Sequence, residues 1–263
     1  MDLSGKNKAL YLFVILSGIF VANAILAEFI GVKIFSLERS LGMEPVHWSI
    51  FGVGDLSFNL TAGVLLWPLI FVLTDIINEY YGPKGVRFLS YLTAALIVLA
   101  FGASWVAIRL VPADFWPTSH LGHNTTSATD VLNLNSAYRL IFGQGAWIIV
   151  GSLTAFLIGQ WLDVTVFHKI KKITGEKSIW FRSTGSTLVS QLLDSFIVLF
   201  IAFYIGASWP LETVLAIGCI NYLYKFLVAL LMTPLIYLVH DLIERFLGHD
   251  IAESMKIDAM KNE

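Results

Sequence analysis

The 263-residue chain is poor in charge. Asp, Glu, Lys and Arg make up 14% of it, where a soluble domain carries about 25%. Too few polar groups remain to cover a water-facing surface, which excludes an ordinary soluble enzyme and a disordered chain. Cysteine is nearly absent: Cys219 stands alone, so there is no intrachain disulfide framework and the redox compartment stays open. Net charge is −2 and the basic residues are scattered, so no nucleic-acid partner is expected. Catalytic signatures are missing as well. No Walker A sequence, no His-Glu-x-x-His and no Gly-x-Ser-x-Gly elbow occurs, so P-loop ATP hydrolysis and two common routes to intramembrane hydrolysis lack their residues. A potassium-channel-like filter is absent too.

What is abundant is apolar. The chain is 57% hydrophobic with nineteen Phe and eight Trp, and its mean hydropathy is +0.75. The apolar residues fall in runs of the roughly 20 residues that a helix needs to cross a bilayer. Six windows qualify: 9–33, 58–81, 87–111, 139–165, 183–208 and 212–240. None has the strict alternation of a barrel strand. The expected fold is therefore all-α, a polytopic bundle of six transmembrane helices forming one domain over 1–240, with a charged, amphipathic or frayed tail at 241–263. The first window follows Lys6 and Lys8 as a signal peptide would. It runs to about 25 residues, contains Asn23 and Glu28 and lacks a small-residue cleavage site, so it reads as a retained span.

Proline and glycine punctuate the ends of spans at Gly82-Pro83, Val111-Pro112 and Trp209-Pro210. Lys and Arg fall twelve on one set of alternate segments and four on the other. By the positive-inside rule both termini are then cytoplasmic. That places the long segments 34–57 and 112–138 outside. The second holds His120 and His123, read as two exposed loop histidines and not as metal ligands, and the sequon Asn124-Thr125-Thr126.

An ionisable group at membrane depth costs a few kcal/mol even on lenient scales, about 2.5–3.5 for Asp, Lys or Arg. Such residues need a reason. Asp75, Asn78 and Glu79 sit at i, i+3 and i+4 and share one helix face. Gln160-x-x-Asp163 and Gln191-x-x-Asp194 repeat one pattern in the fourth and fifth spans. Asn221 and Lys225 lie one turn apart in the sixth, and the first adds Asn23 and Glu28. By helical rise, Asp194 and Lys225 fall near mid-span and are natural partners. They could be a purely structural ion pair, but with the nearby carboxamides they point to a solvated substrate cavity. For Asp75, Asn78 and Glu79, anchoring the following turn against Lys84 and Arg87 weighs equally. The segment 152–163 aligns with 183–194 at Ser, Leu, Gln, Leu and Asp, as internal repeats in transporters do.

The run Thr74-Asp75-Ile76-Ile77-Asn78-Glu79-Tyr80-Tyr81-Gly82, with Lys84 and Arg87, resembles a signature of the VUT family of queuosine precursor transporters. The resemblance continues through Ser152-Leu153-x-Ala155-Phe156, the two Gln-x-x-Asp motifs, Lys225 and Thr233-Pro234-Leu235, and covers roughly residues 10–240. It implies import of 7-deazaguanines (preQ0, preQ1 or queuine) across a bacterial inner membrane. The carrier would be secondary or facilitative, with no cofactor, no metal and no enzymatic step. Asp194 and Gln191 would then accept the donor edge of the base. Lys225 and Asn221 would meet its oxo group, and Gln160 and Asp163 would complete the cavity, with Asn23 a further polar contact. Asp75, Asn78 and Glu79 would form a gate or second polar wall. Tyr222, Tyr224 or Trp161 would stack on the ring. The expected partners are the base and the lipid bilayer, with a homodimer left open. The competing reading is the substrate-binding subunit of an energy-coupling-factor vitamin transporter, which needs a separate ATPase.

Overall fold

The computed structural model describes residues 5–120, 131–143, 145–175 and 179–261. His123 and the sequon at Asn124 lie outside the described residues. The chain runs α1 (Gly5–Ile30), β1 (Ile34–Ser36), α2 (Leu37–Ser40), β2 (Trp48–Ile50), β3 (Val53–Leu56), β4 (Asn59–Thr61) and a 3-10 turn at Ala62–Leu65. Then come α3 (Trp67–Arg109), α4 (Leu134–Phe142), α5 (Ala146–Thr174), α6 (Ile179–Leu199), α7 (Leu211–Leu231), α8 (Thr233–Leu247) and α9 (His249–Lys261). Among the described residues, five helical stretches are long and apolar enough to cross a membrane. They agree with an all-α, multi-pass membrane protein.

The longest stretch, α3, is 43 residues and breaks at Gly82, where φ is 71° and ψ −177°. Only glycine occupies that backbone region readily, and Pro83 follows, removing the N–H that would continue the ladder. The chain reverses there. Before the break, Tyr81 donates its hydroxyl to the Ala9 carbonyl at 2.7 Å, and at the other end of this arm Trp67 and Phe20 both pack on Phe156. After the break, Phe13 lies against Gly85 and Phe29 against Phe101 at 5.3 Å. The arm 67–81 thus runs antiparallel to α1, and the arm 83–109 runs parallel to it.

Several expected boundaries shift. The window 139–165 opens in α4, and its long helix, α5, runs from Ala146 on to Thr174. The window 58–81 begins as strand β4 and a 3-10 turn, and helix starts only at Trp67, with Pro68 in its first turn. The window 212–240 is cut at Met232, after which Thr233-Pro234 starts a second helix, α8. Segment 34–57, expected as loop, holds two small antiparallel sheets in the described chain. Ile34 to Ser36 pair with Thr61 to Asn59, and β2 pairs with β3 around Phe51-Gly52, both at positive φ. Glu38 fastens this cap by accepting the Phe58 N–H at 2.8 Å. The tail is not frayed: α9 lies across the Gly82 turn, so close that a Cβ at Gly82 would meet the Ala259 carbonyl oxygen at 2.9 Å.

Outward faces are apolar throughout, with Leu10, Val14, Phe88, Leu99, Trp105, Ile173 and Leu231 among the exposed side chains. These faces suit lipid. Between helices, lipid supplies no hydrophobic drive, so close packing and polar interlocks hold the bundle. Gly151 on α5 lets that helix approach α6, where a Cβ would stand 3.0 Å from the Val198 carbonyl oxygen. The following turn, Phe200–Ile205, widens into π-helix.

Candidate functional site

The buried face of the 67–81 arm is polar. Every residue from Ile70 to Tyr80 is buried, so Thr74, Asp75, Asn78 and Glu79 must each find partners in neighbouring helices. Thr74 donates to Gln160 Oε1 at 3.0 Å. Asp75 accepts the Ser183 hydroxyl. Asn78 Oδ1 is 2.8 Å from His168 Nε2. Glu79 takes Arg182 on Oε1 at 2.6 Å and Lys171 on Oε2 at 3.1 Å. Asp163 on α5 accepts Ser190 from α6 at 3.3 Å. The helices α3, α5 and α6 are thereby joined by a contiguous polar seam.

Beside this seam lies a cavity of roughly 470 Å³, counting its mouth. Its enclosed part is only about 30 Å³, below the roughly 300–1,000 Å³ of a ligand-filled site, so the helices must part before a base can enter. Trp67, Pro68, Phe71 and Val72 of α3, Tyr224 and Val228 of α7, and Met232 and Ile236 around the start of α8 form apolar walls. Asp75, Ser183, Thr184, Thr187, Gln191 and Lys225 supply its polar groups. Asp75 Oδ1 and Gln191 Nε2 are buried and carry no hydrogen-bond partner. One is an acceptor and the other a donor, so the cavity offers both halves of a polar recognition pattern.

The expected site residues fall into four groups. Asp75, Gln191 and Lys225 line the cavity. Asp194 holds the Lys225 ammonium, both side chains less than a fifth exposed, but does not itself line the space. Gln160, Asp163, Asn78 and Glu79 are buried in the seam. Asn23 and Asn221 are brought to neither place: Asn23 donates to the Ile19 carbonyl of its own helix at 2.9 Å, and Asn221 is half-buried one turn along α7. Of the expected stacking residues Tyr224 is at the cavity, whereas Trp161 is 57% exposed on the outer surface. Lys84 and Arg87 are exposed and leave Glu79 to other cations.

Two charged residues escaped the sequence reading. Lys171 and Arg182, counted there as loop charges, are 1% and 0% exposed. The clue was arithmetic: three carboxylates on or near one helix end need cations, and these two flank the α5–α6 connection. Glu28 was singled out without a partner and meets the Ser152 hydroxyl. His120 packs on the Val131 carbonyl, and no cluster of three or more His, Cys, Asp or Glu suited to a metal occurs among the described residues.

Residues 61–239 match the family described as "Putative vitamin uptake transporter". A "Probable queuosine precursor transporter" of Bacillus subtilis (strain 168) is 35% identical over 190 residues, covering 71% of this chain and 75% of that protein. A protein of the same description from Haemophilus influenzae is 28% identical, covering 68% and 67%. The "Queuosine precursor transporter" of Escherichia coli (strain K12) is 25% identical over 213 residues, covering 80% and 84%. No solved structure matches the chain.

Proposed function

This chain belongs to the VUT family of vitamin uptake transporters, and from that premise we propose that it imports queuosine precursors, 7-deazaguanine bases, across a bacterial inner membrane. It carries them unchanged and without an ATPase subunit. The α3 hairpin makes six crossings of the five apolar stretches, with both ends of the chain in the cytoplasm.

The observation that carries this reading is the pairing of orphan groups in an aromatic-walled cavity. A deazaguanine presents its ring N–H and 2-amino group as adjacent donors, which a carboxylate accepts side by side. Asp75 offers a free oxygen for them. The 6-oxo group needs a donor, and Gln191 Nε2 and the Lys225 ammonium stand on the facing helices. Trp67, Phe71 and Tyr224 give the flat ring its apolar contact. In this assignment Asp75 reads the donor edge, and Asp194 serves by orienting Lys225.

Thermal stabilisation of the detergent-purified protein tests the reading. PreQ0, preQ1 and queuine are expected to raise the melting temperature, and guanine, which shares the edge read by Asp75 and Gln191 but lacks the 7-substituent, to raise it less. Asp75→Asn removes a charged acceptor and should weaken binding by roughly 1.5–3 kcal/mol. No shift with any deazapurine, from a folded and monodisperse sample, would overturn the proposal. Uptake into liposomes containing this chain alone distinguishes a self-sufficient carrier from an ATPase-dependent subunit.

A further inference from the structure

The polar seam holds more negative charge than its cations answer. Where α3, α5 and α6 meet there are three buried carboxylates, Asp75, Glu79 and Asp163, and two buried cations, Lys171 and Arg182. Both cations are committed to Glu79, one to each of its oxygens. Among the described residues, Asp75 and Asp163 make no ion pair and receive only hydroxyl hydrogen bonds from α6. Each keeps one oxygen without a partner, Oδ1 of Asp75 and Oδ2 of Asp163. Asp163 is the strongest like-charged neighbour of Asp75, ahead of Glu79 on the next turn.

Two ionised carboxylates this deep, with no ion pair of their own and only the Arg182 charge acting on Asp75 from farther off, are expensive in a low-dielectric interior. Asp75 must be ionised to accept the donor edge of a base. The neutral partner is then Asp163, which is fully buried, stands outside the cavity lining and has the free oxygen. A sodium ion would need five or six oxygens around it, whereas a proton needs one. We infer that Asp163 is a proton-binding site, and that each base enters together with one proton. The inference rests on the base-uptake reading above. In the cycle a proton from outside joins the Asp163 carboxylate and the base joins ionised Asp75; both leave when the cytoplasmic side opens to water, where two ionised carboxylates are no longer costly.

The surroundings define the rivals for that proton. Asp75 and Glu79 face Asp163 from α3, His168 and Lys171 share its helix, and Arg182 and Asp194 belong to α6. Lys225 on α7 and His240 on α8 stand further out. His168 is held by Asn78 and His240 by the Tyr80 hydroxyl.

The test uses the whole chain in liposomes with labelled preQ0, whose 7-substituent is uncharged. Exchange of labelled for unlabelled base at equal pH on both sides reports carriage itself; its absence overturns the base reading and the coupling with it. With exchange present, an inward-directed gradient of one pH unit is expected to concentrate the base up to about tenfold. Exchange without such accumulation overturns the coupling alone and leaves base carriage standing. Accumulation driven by sodium and not by protons overturns it equally. Asp163→Asn, a neutral mimic of the acid, is expected to lose accumulation and to flatten the dependence of exchange on pH. Retained proton-driven accumulation in that variant would sink the assignment to Asp163. Should it fail to fold, Ser190→Ala serves: losing that hydroxyl donor makes the carboxyl hold its proton to higher pH, moving the alkaline limit of accumulation upward. An unmoved limit counts against the site.

Discussion

Glu79 holds Arg182 and Lys171 at once, all three side chains 1% exposed or less. Such a triad earns its place through geometry more than through net energy, because desolvation offsets much of the attraction. Removing one member is another matter. Glu79→Gln leaves two buried cations without their carboxylate and should destabilise the protein by about 3–5 kcal/mol, read as a lowered melting temperature in detergent. Replacing all three by apolar residues of like volume should cost much less. The sequence exposed the acidic half of this triad plainly, since three polar residues share one face of an apolar helix. It hid the basic half, because Lys171 and Arg182 stand in a basic stretch that a positive-inside count assigns to a loop. Arg182 lies 103 residues from Glu79, beyond any local pattern. The pairing of Lys225 with Asp194 was legible for the opposite reason: both interrupt long apolar runs at matching depth.

At the scale of elements, the Gly82 turn and α9 form one device. Gly82→Ala forces an L-residue into a backbone region that is essentially glycine's own, costing about 1–3 kcal/mol, and drives its Cβ into the Ala259 backbone. The expected result is a lowered melting temperature with faster proteolysis in 249–261. Helix α9 is also fastened at Lys256, whose ammonium bonds Glu244 of α8 at 2.5 Å and lies over the Tyr80 ring at 5.4 Å. The hydrogen bond from Lys256 holds the Glu244 carboxyl below the usual carboxylate range. Since the folded value is depressed, this contribution is present above the unfolded value and is lost as pH falls through the folded one. The melting temperatures of the wild type and Lys256→Met should therefore differ at neutral pH and converge on acidification. A constant difference would assign Lys256 to packing alone. The Gly82-Pro83 break was legible, but the helix over it was not: residues 241–263 read as a charged tail, since a helix docked on one narrow face needs few apolar residues. Strands β1 to β4 escaped because three or four residues carry too little periodicity to outweigh their glycine-rich surroundings.

For the whole molecule, the apolar runs foretold the multi-pass architecture, and in the topology proposed above the hairpin at Gly82 turns five apolar stretches into six crossings. The orientation proposed here has a direct check. In a Cys219→Ser background, single cysteines at Lys172 and Arg245 should react with a membrane-impermeant maleimide only after the cytoplasmic side is opened. A cysteine at Arg39 should react in intact cells. Reversed labelling would invert the whole topology. Burial of Lys171 and Arg182 removes two charges from the cytoplasmic count and still leaves that side the more basic.

The distance along the chain between Glu79 and its cations has a consequence for biogenesis. At about 5–20 residues per second, a ribosome needs roughly 5–20 s to travel from Glu79 to Arg182. Through most of that interval Asp75, Asn78 and Glu79, near the tip of the nascent hairpin, lack their partners from α5 and α6, although α1 already packs along it. Its first residence is therefore provisional: the acidic tip waits near the aqueous interface or under the cover of an insertion chaperone. It settles when α5 and α6 arrive, and α9, made after them, closes over the turn. Assembly of this carrier is ordered by translation itself, and a chain stopped before Arg182 should be cleared by quality control.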